Sequence, residues 1–194
     1  MAVQENNRPK AIIFDCFGVL YLDVKQSLLN TIPAKQAEEL ADLFQANNYG
    51  MMSRKEYVSS AAELSNMSAA EFEAFTAIEH RLNTVLTDKI RELRKDYKIG
   101  LLSNIGRGWI DDFFDAHQIR ELFDEVVLSA EEGMTKPHPA IYELTASRLG
   151  VEPEECVMID DIEANCTGAN IVGMRSIHFT SNEQLERDLA KLGV

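Results

Sequence analysis

Basic residues are scarce in this chain of 194 residues: 19 Lys and Arg stand against 32 Asp and Glu, a formal net charge of −13. A surface that acidic repels nucleic-acid backbones and anionic membranes, which argues against both as partners. A small phosphorylated molecule stays open, because one local cation outweighs a diffuse acidic field. Cysteine is scarce too. Cys16, Cys156 and Cys166 form no CxxC pair and are odd in number, so reduced thiols in a cytoplasmic protein are expected. No apolar run approaches membrane-spanning length. Residues 1–10 are polar, with no apolar stretch of the kind a secretory signal needs, so no such signal is expected. Internal repeats and low-complexity tracts are missing, and a hydrophobic content of 45% fits one ordinary core plus a small insertion.

The most informative stretch is 11–20, AIIFDCFGVL. Four apolar residues bounded by a glycine turn read as a buried parallel strand with Asp15 at its carboxyl end. Residues 22–85 then lack any strand pattern. Helical spacing is expected over 33–45, and the Ser53-to-Glu56 and Ser68-to-Glu71 pairs read as capping boxes opening two more helices. From residue 86 onward strands and helices alternate. A helix capped by Thr87 or Asp88 runs to about Tyr97, and strand 99–102 ends at Ser103-Asn104. Helix 107–117 carries an aromatic face of Trp109, Phe113 and Phe114, read as core packing. Strand 125–129, loop 132–137, helix 138–149, strand 156–159, helix 162–172, strand 175–179 and helix 181–192 follow. Such alternation implies βαβ units in an α/β, doubly wound parallel sheet. The expected division is a Rossmann-like core of residues 1–21 and 86–194 and an all-helical insertion, 22–85.

Right-handed crossovers place all strand ends on one edge, where ligands of open α/β sheets bind. That edge collects Asp15, Ser103-Asn104 and Asp160-Asp161, with Lys136 in a nearby loop. Taken singly, each is an ordinary turn, cap or surface residue; their shared position after successive strands is the signal. Three carboxylates and one ammonium leave excess negative charge. Two carboxylates 4 Å apart repel by roughly 4 kcal/mol at an effective dielectric of about 20, so a divalent cation with oxygen ligands is called for. Carboxylates with a backbone carbonyl and waters suit Mg²⁺, which pairs with phosphates. Ser103 and Lys136 are suited to phosphate oxygens. Cys16 alternates to the opposite face from Asp15 and reads as packing.

These motifs resemble the haloacid dehalogenase (HAD) superfamily over about residues 10–180: Asp-x-x-Gly-Val after a buried strand, Ser after the second, Lys-Pro in a loop and Asp-Asp after a later strand. The insertion resembles the helical cap of subfamily I. The resemblance implies that Asp15 is the nucleophile, that Phe17 lends its backbone carbonyl to Mg²⁺, that Ser103 and Lys136 are catalytic and bind phosphate with Asn104, and that Asp160 and Asp161 bind metal. Asn165 falls where the family often has a polar support residue. The departure is Phe17, where the family's phosphatases carry a second Asp for acid–base work. Three readings follow. One is a Mg²⁺-dependent phosphoric ester hydrolase with weakened or relocated acid–base chemistry, with His138 or an insertion residue as a substitute base. Another is a 2-haloacid dehalogenase, whose leaving halide needs no proton. The last is a catalytically silent binding module.

Overall fold

The computed structural model describes residues 8–21, 32–78 and 81–194. Five strands form one parallel sheet: β1 (Ala11–Phe14), β2 (Lys98–Ser103), β3 (Glu125–Leu128), β4 (Cys156–Asp160) and β5 (Arg175–His178), in the spatial order β3-β2-β1-β4-β5. The chain thus builds outward from β1 on one side and returns on the other, leaving the switch point between the two central strands β1 and β4. Ligand crevices open at such points, beyond the carboxyl ends of the strands.

β1 explains its own burial. Ile12 and Phe14 face one apolar cluster and Ala11 and Ile13 the other, and all four are fully buried. A strand greasy on both faces has only a central place to go. The helices α4 (Thr84–Leu93), α5 (Ala116–Leu122), α6 (Ser129–Glu132), α7 (Pro139–Leu149), α8 (Glu163–Ile171) and α9 (Asn182–Lys191) flank the sheet, below the insertion helices in chain order.

The insertion contributes α1 (Ala34–Asn48), α2 (Arg54–Leu64) and α3 (Ala69–Ile78). Leu40, Tyr57, Val58, Ala61 and Phe72 give it a core of its own. Both expected capping boxes form: Ser53 N–H donates to Glu56 Oε2 at 2.8 Å, and Ser68 N–H to Glu71 Oε2 at 2.7 Å. Residues 22–31 of the expected insertion lie outside the described residues.

Two helix starts differ most from expectation, while Ser129, expected to end a strand, opens α6, and the helix expected to reach Tyr97 ends at Leu93. Residues 107–117 are no continuous helix. A single 3-10 turn at Ile110–Asp112 precedes α5, which starts at Ala116 because Asp115 and Gln118 close a capping box there. The aromatics still pack as core: Phe114 is buried, and Trp109 and Phe113 lie against it. Helix α4 starts at Thr84, earlier than Thr87 or Asp88, because the Asn83 side chain accepts the Leu86 N–H. Asn, Thr and Asp all cap well, so a run containing several leaves the start ambiguous.

Candidate active site

The sheet ladder continues one step past β1: Asp15 N–H donates to Ile159 O at 2.9 Å, which sets the side chain at the sheet edge beside the end of β4. Asp15 Oδ1 accepts from its neighbour Cys16 N–H and from Lys136 Nζ, both at 2.7 Å. The same ammonium donates to Asp160 Oδ2 at 2.7 Å. Asp160 Oδ1 accepts from Asn165 Nδ2 and Ile162 N–H, both at 2.9 Å. Both Asp160 oxygens are therefore occupied, whereas Asp15 Oδ2 accepts no hydrogen bond among the described residues.

Asp161 completes the group. One carboxylate oxygen from each of Asp15, Asp160 and Asp161 lies within 4.8 Å of the others. Its backbone carbonyl is bonded to His178 Nε2 at 2.8 Å. Gly18 explains the close approach of the first turn. It sits at φ +83°, and a Cβ there would stand 2.2 Å from the Asp161 carboxyl. Only glycine meets both demands. Gly18 and Asp161 were both visible in the sequence, but not their close approach.

Lys136 is buried, its side chain 1% exposed. Burial pulls its ammonium down, but Asp15 and Asp160 outweigh that and hold it above the ordinary lysine value. Asp15 goes the other way. Burial, with Asp160 and Asp161 adding to it and Lys136 opposing, pushes its carboxyl up to about 8. One lysine thus does not balance three acids, and Asp15 is poised to hold a proton unless further positive charge arrives. All the donors are oxygens, a set that fits a hard divalent cation such as Mg²⁺.

The other expected residues find these places. Ser103 ends β2 next to β1; its hydroxyl is fully buried and has no hydrogen-bond partner among the described residues. Such an orphan costs about 1–3 kcal/mol until something meets it. Asn104 turns its amide onto the main chain of Lys136. Asn165 meets Asp160, and its own carbonyl accepts from the Tyr142 hydroxyl at 2.7 Å, a support the sequence did not suggest. Phe17 lays its ring edge-on against Phe113, centroids 4.9 Å apart, and carries no proton-transfer group. His138 Nδ1 accepts the Ala140 N–H at 3.2 Å and caps α7, a structural task. Cys16 is fully buried in the core, and burial, followed by Asp15, pushes its thiol up, which suits packing and not nucleophilic work.

Comparison with known proteins agrees with this geometry. A glyceraldehyde 3-phosphate phosphatase of Methanopyrus kandleri is 45% identical over 62 residues, 31% of this chain and 27% of that enzyme. The human N-acylneuraminate-9-phosphatase is 33% identical over 88 residues, 45% of this chain and 36% of that enzyme. The matches thus span well under half of these curated relatives. Among solved structures, a HAD-family enzyme of Bacteroides thetaiotaomicron superposes with a TM-score of 0.77 at 24% identity, covering 93% of this chain and 98% of that one. That enzyme has also been solved with magnesium and inorganic phosphate, TM-score 0.74. The sheet order, the three acids on its central edge and a match to the haloacid dehalogenase-like hydrolase family over residues 9–173 converge: this chain belongs to that family of hydrolases.

Proposed function

We propose that the protein is a Mg²⁺-dependent phosphoric ester hydrolase that works through Asp15 on a small phosphorylated molecule in the cytoplasm. The observation that carries this is the set of three carboxylates within 4.8 Å, two of them bridged by one buried lysine. Asp15, Asp160, Asp161 and the Phe17 carbonyl would hold the ion, which when bound screens the charge of the phosphoryl group. The phosphatase relatives and the neighbour solved with magnesium and phosphate favour the same chemistry.

The residues then divide the work. Asp15 Oδ2, unencumbered by hydrogen bonds, attacks phosphorus while Oδ1 stays pinned by Lys136 and Cys16 N–H. The P–O bond to the alcohol breaks, and the alcohol oxygen leaves with the bonding pair. Water then attacks the aspartyl phosphate, releasing phosphate and restoring the carboxylate. Lys136 and the Ser103 hydroxyl hold phosphoryl oxygens. The insertion that carries α1, α2 and α3 serves as the cap over the crevice that selects the alcohol part.

Phe17 decides which esters suit the site. It supplies no proton to the leaving oxygen, so leaving groups that depart as stable anions, such as acyl and aryl oxyanions, are favoured over alkoxides. A dehalogenase shares that feature, since halide also leaves unprotonated. The Asp160-Asp161 pair fits it poorly, because carboxylates crowded beside the nucleophile without a cation raise its pKa. The test is a panel of aryl and alkyl phosphates and short haloacids, with Mg²⁺ and with chelator. Mg²⁺-dependent phosphate release that rises steeply with leaving-group acidity is expected. Halide release undiminished by chelator, or no turnover of any ester, overturns the proposal.

A further inference from the structure

We infer that Asn104 is a positioning residue for Lys136, not a ligand of the substrate's phosphate; this rests on the phosphoryl-transfer reading of the site. Both ends of its side-chain amide are engaged with one other residue. Oδ1 accepts the Lys136 N–H at 2.8 Å, and Nδ2 donates to the Lys136 carbonyl at 2.9 Å. The amide thereby stands in for a strand partner where no strand runs.

Lys136 needs that hold. Its ammonium must sit 2.7 Å from both Asp15 Oδ1 and Asp160 Oδ2 on a flexible four-carbon stem. Packing fixes the following residue: α8 approaches so closely that a Cβ on Gly168 would lie 2.5 Å from the Pro137 carbonyl oxygen. The Pro137 side is thus clamped by shape, and the Lys136 side by Asn104. Ser103 and Asn104 are consecutive, so the turn after β2 delivers an unpartnered hydroxyl and, next to it, the clamp that fixes the lysine. Misplacement by about 1 Å at a reacting centre costs on the order of 10²-fold. Among the described residues the second Nδ2 hydrogen is the side-chain donor Asn104 has left, so direct side-chain contact with phosphate is the competing outcome.

A double-mutant cycle separates the two. Asn104→Ala, Lys136→Met and the double variant are assayed on an aryl phosphate with saturating Mg²⁺. Asn104→Ala is expected to lower kcat by about ten- to a hundredfold with KM little changed. In the Lys136→Met background it should cost nothing more. Losses that multiply, or a loss confined to KM, overturn the inference. A second readout needs no activity. Reductive methylation followed by peptide mass spectrometry should find Lys136 protected in the parent protein and labelled at least tenfold faster in Asn104→Ala. Asn104→Asp keeps the acceptor for the Lys136 N–H, should label at an intermediate rate, and serves if the alanine variant does not fold. Protection equal to the parent's in the folded variants overturns the inference. If the parent protein turns over no phosphate ester, the phosphatase reading fails, while the labelling still decides what Asn104 does.

Discussion

Lys136 and Arg54 each face two carboxylates, and they live in different worlds. Lys136 joins Asp15 and Asp160 at the sheet edge, with side chains 1%, 8% and 0% exposed. Arg54, at the start of α2, joins Asp112 of the core through two bonds at 2.6 and 3.0 Å, stacks on Trp109 4.2 Å from the ring centroid, and stands 4.0 Å from Glu73; its side chain is 36% exposed. Around Lys136 the oxygens are held by further donors, from Cys16, Ile162 and Asn165. At the Arg54 seam water reaches the pair: the side chains of Glu73 and Asp112 are 51% and 43% exposed. Breaking the same pairing of charges costs little in water and much in the interior, where losing one partner strands the others. A chemical site needs the rigid version.

Four measurements press on that contrast. The largest effect is expected at Asp15: Asp15→Asn lowers hydrolysis on the order of 10⁴-fold or more while circular dichroism stays that of the parent. Retained turnover removes it as nucleophile. Next, Phe17→Asp restores a proton carrier beside the crevice and raises aryl phosphate turnover by about 10²–10⁴-fold, most for the least acidic leaving groups. A folded variant with no gain shows that proton transfer does not limit the reaction. Third, Lys136→Met leaves two buried acids without their shared cation and costs about 3–5 kcal/mol in urea unfolding without metal. Millimolar Mg²⁺ should recover part of that stability, because binding to the folded form alone adds free energy. The smallest effect is Arg54→Ala, about 1 kcal/mol or less, shrinking as salt rises. Equal costs at Lys136 and Arg54 would erase the distinction between the two regions.

Much of the sheet was legible. Strands buried on both faces show as unbroken apolar runs, and β1, β2 and β4 are such runs with polar residues at their ends. Both insertion capping boxes were legible because their partners lie three residues apart. The segment 107–117 was not. Its aromatics mimic a helical face, yet Phe114 reaches the core from an irregular segment after a 3-10 turn. Periodicity reports which side chains seek burial, not which backbone takes them there.

At the site, the sequence by itself determined the inventory: the acids, the lysine, the hydroxyl, and the absence of a proton carrier at Phe17. Residue type and place after a strand are local properties, so they can be read from the chain. Only the tertiary structure decided the pairings. Lys136 and Asp160 are 24 residues apart, and Asn104 and Lys136 are 32 apart. Whether they meet depends on crossover paths and on close approaches such as Gly18 against Asp161. Those distances come from packing summed over the whole core, and no single stretch of the chain encodes them.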